Sequence, residues 1–278
     1  MVPCEFSISS LFLSRGFPDQ CEIEQLVDLD ITNMEVALSS WLPDSSGLRS
    51  GKFDREILRC LTRIKSGLHK KGVNVVGLHS VFFEACGLNV FDKCADTLEF
   101  LVSRIQYCDE LGGRFLVIGS PSARRTKFDH ELSLANYRWL LDAALERTKE
   151  SNVIILTEAL PMCSVFQTAS DLISLSKSFE SDRIGVHLDV NSLLAAGDMD
   201  FLLSADLQMF QHVHINTLDF RPVEVDERRS ELEQFFRILH KHNYNQLLGL
   251  EYVTPASSSP DFDSLNWSKK YLKERMPK

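Results

Sequence analysis

The sequence lacks an excess of positive charge: 30 lysines and arginines stand against 39 aspartates and glutamates, giving a net charge of −9. This excludes a chain-wide basic surface for nucleic acid or anionic membrane, although not a local basic patch. No run approaches the roughly 20 apolar residues that a membrane-spanning helix needs. The opening MVPCEFSISSLFLSRGF has no basic start and is interrupted by polar residues, so we expect a first strand there and no signal peptide. These absences predict a cytoplasmic protein.

Paired cysteines and a phosphate-binding glycine loop are also missing. The seven cysteines form no CxxC pair and have no zinc-finger spacing to histidine. We therefore expect free thiols, several of them buried, and no catalytic thiol. No GxGxxG motif follows the first predicted strand, so the usual signature of a dinucleotide-binding open sheet is absent.

What the sequence does contain is a regular alternation of short β-rich runs and longer amphipathic stretches, at an ordinary 44% hydrophobic content. The runs predicted as strands are 4–13, 33–38, 74–83, 114–121, 153–160, 184–192, 210–219 and 247–253. The stretches predicted as helices are 21–30, 54–71, 92–111, 130–150, 168–180, 199–209, 229–241 and 264–275. Strands that alternate with helices indicate parallel pairing through right-handed crossovers.

Eight strand–helix units in about 250 residues is the size of a (β/α)₈ TIM barrel. No linker or shift in composition divides the chain. We therefore predict an α/β protein with a single TIM-barrel domain over residues 1–278. The alternative is a doubly wound open sheet, which the missing glycine motif disfavours.

Polar residues occur at the ends of four consecutive predicted strands, where TIM barrels carry their chemistry. These residues are Glu158, Asp189, His214 and Glu251. Each follows an apolar run that would draw it towards the interior, where an unpaired charge costs several kcal/mol. One shared divalent cation is the economical partner for all four side chains.

Further polar residues are expected around this site. His187 and His212 precede two of the predicted ligands by two residues, which places them on the same strand faces but deeper in the barrel. We expect them to support the ligands or to pack in the interior, and they are also candidates for substrate binding. Arg221 could hold substrate oxygens, and Arg124 with Arg125 could bind a phosphate.

The order Glu158, Asp189, His214, Glu251, within the contexts ILTEALP, VHLDVNS, HVHINTLD and GLEYVTP, resembles the xylose-isomerase-like TIM-barrel superfamily, in particular its sugar isomerase and epimerase branch. The resemblance covers nearly the whole chain. It implies that the four residues bind a divalent manganese, magnesium, cobalt or zinc ion, and that the two glutamates flank the reacting carbon. It also implies substrate-side positions for His79 and Glu35.

The resemblance implies a metal-dependent isomerase or epimerase of a sugar or sugar phosphate, which removes a proton next to a carbonyl through an enediolate. Glu158 and Glu251 are then the catalytic acid–base pair as well as metal ligands, because a partly dehydrated carboxylate can be tuned towards neutral pH. Asp189 and His214 are ligands only. We expect a small carbohydrate as partner, neither nucleic acid nor membrane, and leave room for a homo-oligomer.

Two departures from the family pattern keep other functions open. Ser192 stands where the family often has a histidine, and no second glutamate follows Glu158 in ALPMCSVFQT. There are two alternatives. One is a related dehydration of a polyol or inosose, and the other is a barrel that binds a sugar or a protein without turnover. The three-zinc endonuclease branch is disfavoured, because the fourth predicted strand ends in IGSP and Ser192 replaces a required histidine.

Overall fold

The computed structural model describes residues 5–42, 48, 53–83, 85, 87–163, 165–217, 220–221 and 229–275. Its strands are β1 (Phe6–Ser9), β2 (Asn33–Val36), β3 (Asn74–Val81), β4 (Phe115–Ile118), β5 (Ile154–Glu158), β6 (Ile184–Asp189), β7 (Phe210–Ile215) and β8 (Leu247–Leu250). All neighbouring strands pair in parallel, and β1 pairs with both β2 and β8, which closes the sheet into a barrel. The predicted TIM-barrel architecture is confirmed.

Helices connect the strands around the outside of the barrel. They are α1 (Gln20–Asp28), α2 (Leu38–Trp41), α3 (Arg55–Lys70), α4 (Ala95–Leu111), α5 (His130–Arg147), α6 (Ala169–Lys177), α7 (Val190–Ala196), α8 (Met199–Leu202), α9 (Arg229–Lys241) and α10 (Phe262–Lys273). Their apolar faces and the outward faces of the strands form the large core between the two layers. Among these described helices, none is both long and apolar enough to cross a membrane.

The connection between β6 and β7 differs from its prediction. A single short helix was expected over residues 199–209, but α7 begins immediately after β6 and a second, four-residue helix follows it. The reason is local: Asp189 accepts a hydrogen bond from the backbone N–H of Ser192 at 2.7 Å and so caps the helix at the strand end. Gly197, at φ 71°, then ends α7 in the left-handed conformation.

The first predicted strand is also shorter than expected. The residues Ser10–Phe12 form a 3₁₀ turn, because the Ser9 side chain accepts a hydrogen bond from the backbone N–H of Leu11. Of the cysteines in the described residues, Cys108 and Cys163 are buried and Cys21 is exposed, all as free thiols.

The inside of the barrel is layered by the two-residue period of its strands. An apolar floor towards the N-terminal ends includes Val76, Phe115, Val117, Leu156 and Leu247. Farther along β3, β5 and β8 the interior positions become polar, with His79, Glu158 and Glu251 near the C-terminal rim. The apolar floor therefore closes one end of the barrel and leaves the other for chemistry.

Close packing in the apolar floor of the barrel predicts that a substitution at Gly77 lowers the stability of the fold. A Cβ added there would fall inside the van der Waals radius of the Phe115 ring, which is buried and packs on His212 at a centroid distance of 4.5 Å. Gly77→Ala should therefore lower the free energy of unfolding by about 1–3 kcal/mol, as overpacking does. Gly67→Ala, in exposed helical backbone with its nearest neighbour at 3.9 Å, is the control and should stabilise by up to about 1 kcal/mol. Urea denaturation measures both, and equal effects would contradict this packing.

Candidate active site

Four polar side chains stand at the C-terminal ends of β5 to β8. Glu158 and Asp189 are the last residues of β5 and β6, His214 is next to last in β7, and Glu251 directly follows β8. The register pairs Asp189 with His214, and His214 with Gly249. The sheet therefore presents the predicted metal ligands at one level of the barrel.

Three of these four residues converge. Asp189, His214 and Glu251 each offer a ligand atom, and the three atoms lie within 4.8 Å of one another. Nδ1 of His214 is 3.5 Å from Oε2 of Glu251. Glu158 lines the same cavity, but its Oε1 accepts a hydrogen bond from Ser192 Oγ at 3.3 Å. The sequence predicts that all four functional groups meet at one point. In the structure the Glu158 carboxylate instead lies against the cavity wall, hydrogen bonded to Ser192.

The cavity has a volume of about 770 Å³ and opens at the C-terminal rim of the barrel. Its polar floor consists of the four residues above and His79. Apolar side chains dominate its outer walls: Leu11, Phe83, Leu160, Met162, Phe220 and Val253. The volume is ample for a small polyhydroxylated molecule with its polar end at the floor.

Asn216, which the sequence analysis missed, ties two of the carboxylates together. Its Nδ2 donates hydrogen bonds to Oδ2 of Asp189 and, at 2.9 Å, to Oε2 of Glu251. One amide thereby holds two like charges side by side. The available signal was the polar turn that directly follows β7 in HINTLD, in which Asn216 lies two residues beyond the predicted ligand His214.

His79 lies where a substrate-side residue was expected. It lines the cavity from β3, and its Nδ1 is 3.6 Å from Oε1 of Glu251. Its other ring nitrogen, Nε2, is hydrogen bonded to Ser9 Oγ at 2.9 Å. The ring is thus fixed between β1 and Glu251, with its edge at the cavity.

Glu35 lies beneath the cavity and not beside a substrate position. Its carboxylate is fully buried and accepts hydrogen bonds from Ser7 Oγ and, at 2.7 Å, from Nε2 of His214. Nε2 of His212 also lies 2.9 Å from the same carboxylate. Burial opposes ionisation, yet His212 and His214 together hold the pKa of Glu35 well below its usual range. The resulting carboxylate–histidine pair turns Nδ1 of His214 towards the cavity.

The remaining predicted substrate residues have other surroundings. His187 and His212 are fully buried in the interior layer below the cavity, as their spacing suggested. Arg124 is fully buried and donates to backbone carbonyls of the β5 loop, including that of Glu158 and, at 3.3 Å, that of Val165. Arg221 is exposed, and neither arginine is among the residues that line the cavity. The hydrogen bonds from the Arg124 guanidinium go to these carbonyls, and Arg124 therefore supports the backbone behind the site.

The family model of the xylose isomerase-like TIM barrel matches residues 23–275. The chain belongs to the xylose isomerase-like TIM barrel family. The resemblance inferred from the strand-end residues is therefore confirmed. No curated protein sequence matches the chain.

Solved structures of similar architecture cover almost the whole chain. D-psicose 3-epimerase with D-tagatose from Clostridium cellulolyticum H10 has a TM-score of 0.73 at 13% identity, covering 99% of this chain and 100% of that one. The IolI protein with a binding zinc atom has a TM-score of 0.74 at 13% identity, covering 98% of each chain. An AP endonuclease, family 2, from Brucella melitensis has a TM-score of 0.70 at 18% identity, covering 97% and 99%. At these identities the similarity establishes the fold.

The carboxylates of this xylose isomerase-like barrel have unequal proton affinities. Burial, with the nearby charges of Asp189 and Glu251, raises the pKa of Glu158 well above its usual range. Burial and the charge of Glu251 raise the pKa of Asp189 to about 6. Burial acts in the same direction on Glu251, but His214 and His79 outweigh it and hold that pKa below its usual range. Acids this close repel one another without an added cation.

His214 carries the opposite charge in the same cluster. Burial lowers its pKa, but the carboxylates of Glu35 and Glu251 outweigh burial and raise it well above the usual range. Both His214 and Glu158 are thus shifted towards their protonated forms in the metal-free site, and a bound cation would displace those protons.

The donor set fits a divalent metal ion. Asp189, His214 and Glu251 supply two carboxylates and one imidazole within a few ångströms of one another, and Glu158 can add a third carboxylate from the same cavity. Mixed oxygen and nitrogen donors of this kind suit manganese, cobalt, zinc or magnesium. The clustering of mutually repelling acids is the observation that supports this fit.

Metal binding should release protons at neutral pH. The ligands bind only when deprotonated, and the pKa of His214 and that of Glu158 are both raised, so apparent affinity for Mn²⁺ should increase as pH rises through neutrality. Below pH 6 the protonation of Asp189 should weaken binding further. Calorimetric titrations of metal-free protein with Mn²⁺, in buffers of different ionisation enthalpy, measure the released protons. Heats that are independent of buffer, with affinity independent of pH, would contradict these proton assignments.

Proposed function

We propose that this protein is a divalent-metal-dependent isomerase or epimerase of an unphosphorylated sugar, acting by proton transfer at a carbon next to a carbonyl. One observation carries the proposal. Glu158 and Glu251 face the same cavity from β5 and from the end of β8, and the two strands between them carry Asp189 and His214. Two candidate acid–base groups thus flank a candidate metal site.

The similar structures support a carbohydrate substrate. Among them are a D-psicose 3-epimerase with D-tagatose, a D-allulose 3-epimerase from Methylomonas sp. in complex with D-allulose, and an L-ribulose 3-epimerase. All three are ketose 3-epimerases by name, so a ketose is the first substrate class to test for this barrel.

Glu158, Asp189, His214 and Glu251 would hold the metal ion. When bound, a divalent ion there supplies positive charge that stabilises the negative charge developing on substrate oxygens. Glu35 keeps His214 in the orientation that presents Nδ1 to this position, through the 2.7 Å contact with Nε2.

The two glutamates move the proton. The glutamate on one face of the substrate removes the hydrogen next to the carbonyl as a proton, leaving its electron pair in an enediolate. The other glutamate returns a proton to the opposite face of the same carbon, which inverts its configuration. Alternatively, a proton returns to the neighbouring carbon while the hydroxyl proton moves between the two enediolate oxygens, which isomerises the sugar. Because the reaction is reversible, each glutamate serves as base for one direction.

The neighbours of each glutamate fix its position. Asn216 holds Oε2 of Glu251 at 2.9 Å, and His79 lies beside Oε1. Ser192 donates to Glu158, so the serine that replaces the family histidine still contacts a predicted catalytic residue. This arrangement supports an active enzyme over a barrel that has lost turnover.

An unphosphorylated substrate is favoured by the charges around the cavity. Among the described residues that line it there is no lysine or arginine. Arg124, predicted as a phosphate ligand, is buried behind the site on backbone carbonyls. Among the described lining residues, a phosphate group would therefore find none of the cationic side chains that normally bind it.

Replacement of either glutamate by glutamine tests this function. Metal-free protein is supplied with Mn²⁺ and incubated with D-tagatose, D-allulose and L-ribulose, and products are separated by chromatography. Glu251→Gln and Glu158→Gln should each lower kcat by about 10²–10⁴-fold, because each removes one acid–base group. Thermal melting shows whether the barrel stays folded.

Glu24→Gln is the matched control, since Glu24 lies on the outer helix α1 and pairs with Lys71 at 2.9 Å. It should leave kcat unchanged. Saturable Mn²⁺ binding without turnover of any sugar in the panel would contradict an isomerase and favour a sugar-binding barrel. Turnover that is undiminished in both site variants would remove the glutamates from proton transfer.

A further inference from the structure

A second group of possible metal ligands lies one layer below the cavity. His187, His212 and His214 each place a ring nitrogen within 4.8 Å of the others, and all three side chains are buried. The ring centroids of His187 and His214 are 4.2 Å apart, and those of His187 and His212 are 5.1 Å apart. The Glu35 carboxylate adjoins the same group. This buried histidine cluster shares His214 with the carboxylate-rich floor of the cavity and extends below it.

Hydrogen bonding fixes the tautomer of His212. Its Nδ1 lies 3.2 Å from the backbone carbonyl oxygen of Leu247, and because a carbonyl only accepts, Nδ1 carries the hydrogen. In a neutral ring, Nε2 then presents a lone pair. That atom lies 2.9 Å from Oε2 of Glu35 and makes no hydrogen bond within the described part of the chain. The position between Nε2 and the carboxylate therefore takes either a proton, which makes His212 a cation, or a metal ion.

His187 supplies an independent observation. It is fully buried, and neither of its ring nitrogens has a hydrogen-bond partner among the described residues. A buried polar group without a partner costs about 1–3 kcal/mol, so such groups are normally satisfied by protein, water or an ion. The unsatisfied nitrogens of His187 and His212 belong to the same cluster.

We propose that the buried histidine cluster is a second metal site, in which His187, His212 and His214 supply nitrogen donors and Glu35 supplies the balancing negative charge. The hydrogen that His214 now donates from Nε2 to Glu35 leaves as a proton when the buried metal binds, and the proton on Nδ1 leaves when the cavity site fills, so that with both sites occupied the ring bridges them as an imidazolate. His214 presents its other nitrogen, Nδ1, towards Glu251 in the cavity. Its ring therefore stands between the two sites.

The two sites differ in metal preference. Three imidazoles with one carboxylate favour Zn²⁺ or Co²⁺, whereas the oxygen-rich cavity site also accepts Mn²⁺ and Mg²⁺. His187 and His212 are fully buried and only His214 reaches the cavity, which suits a structural ion. Zinc should therefore bind to more sites than manganese does.

Zinc stoichiometry tests the second site directly. Metal-free full-length protein is dialysed against Zn²⁺ and against Mn²⁺, and bound metal is measured by elemental analysis. We expect two equivalents of zinc but one of manganese. His187→Phe, which keeps a planar ring and removes both nitrogens, should reduce zinc to one equivalent. Asp189→Asn, which weakens the cavity site alone, should retain the buried equivalent.

Cobalt provides a measurement that does not depend on the folding of the His187 variant. Co²⁺ bound to Asp189→Asn should show the strong visible absorption of a four-coordinate, nitrogen-rich site. A single zinc equivalent in the unaltered protein, lost in Asp189→Asn, would overturn the second site and would leave the proposed function intact. Retention of both equivalents in folded His187→Phe, or absence of visible Co²⁺ bands in Asp189→Asn, would overturn it as well.

Discussion

A buried carboxylate in the middle of the barrel, Glu35, is the constraint on which the site depends. An isolated ionised carboxylate in an apolar interior is strongly disfavoured, so its partners are as important as the group itself. Ser7, His212 and His214 surround it, and Gly249 leaves the room they occupy, since a Cβ there would lie 2.8 Å from Cδ2 of His214 and 2.9 Å from Nε2 of His212. The orientation of His214 at the cavity follows from this arrangement.

Above Glu35, the site is assembled from strand ends that the barrel brings to one level. Asp189 both faces the cavity and caps α7, so the start of that helix and the position of the carboxylate are fixed together. Asn216 joins Asp189 to Glu251, and Arg124 braces the β5 loop by its bonds to backbone carbonyls. The acids are thus held close despite their repulsion, which is the condition under which a divalent cation binds favourably.

The fold and the strand-end residues could be predicted because both follow from local patterns: the alternation of elements and the polar residue that ends each apolar run. The partners of Glu35 could not, because that side chain from β2 meets His214 across the barrel, 179 positions away in the chain. Likewise, no local signal shows that Arg124 turns inward to backbone carbonyls. The helix α7 was missed because its cap, Asp189, was interpreted only as a ligand.

Proton transfer to and from the substrate carbon is the step on which the proposed function rests, and solvent deuterium tests it most directly. A sugar that the Mn²⁺-loaded protein converts is incubated in deuterium oxide, and the product is analysed by nuclear magnetic resonance. We expect deuterium from solvent at the carbon next to the carbonyl, because Glu158 and Glu251 exchange their protons with water between removal and return. Complete conversion with the original hydrogen retained in the product would contradict it.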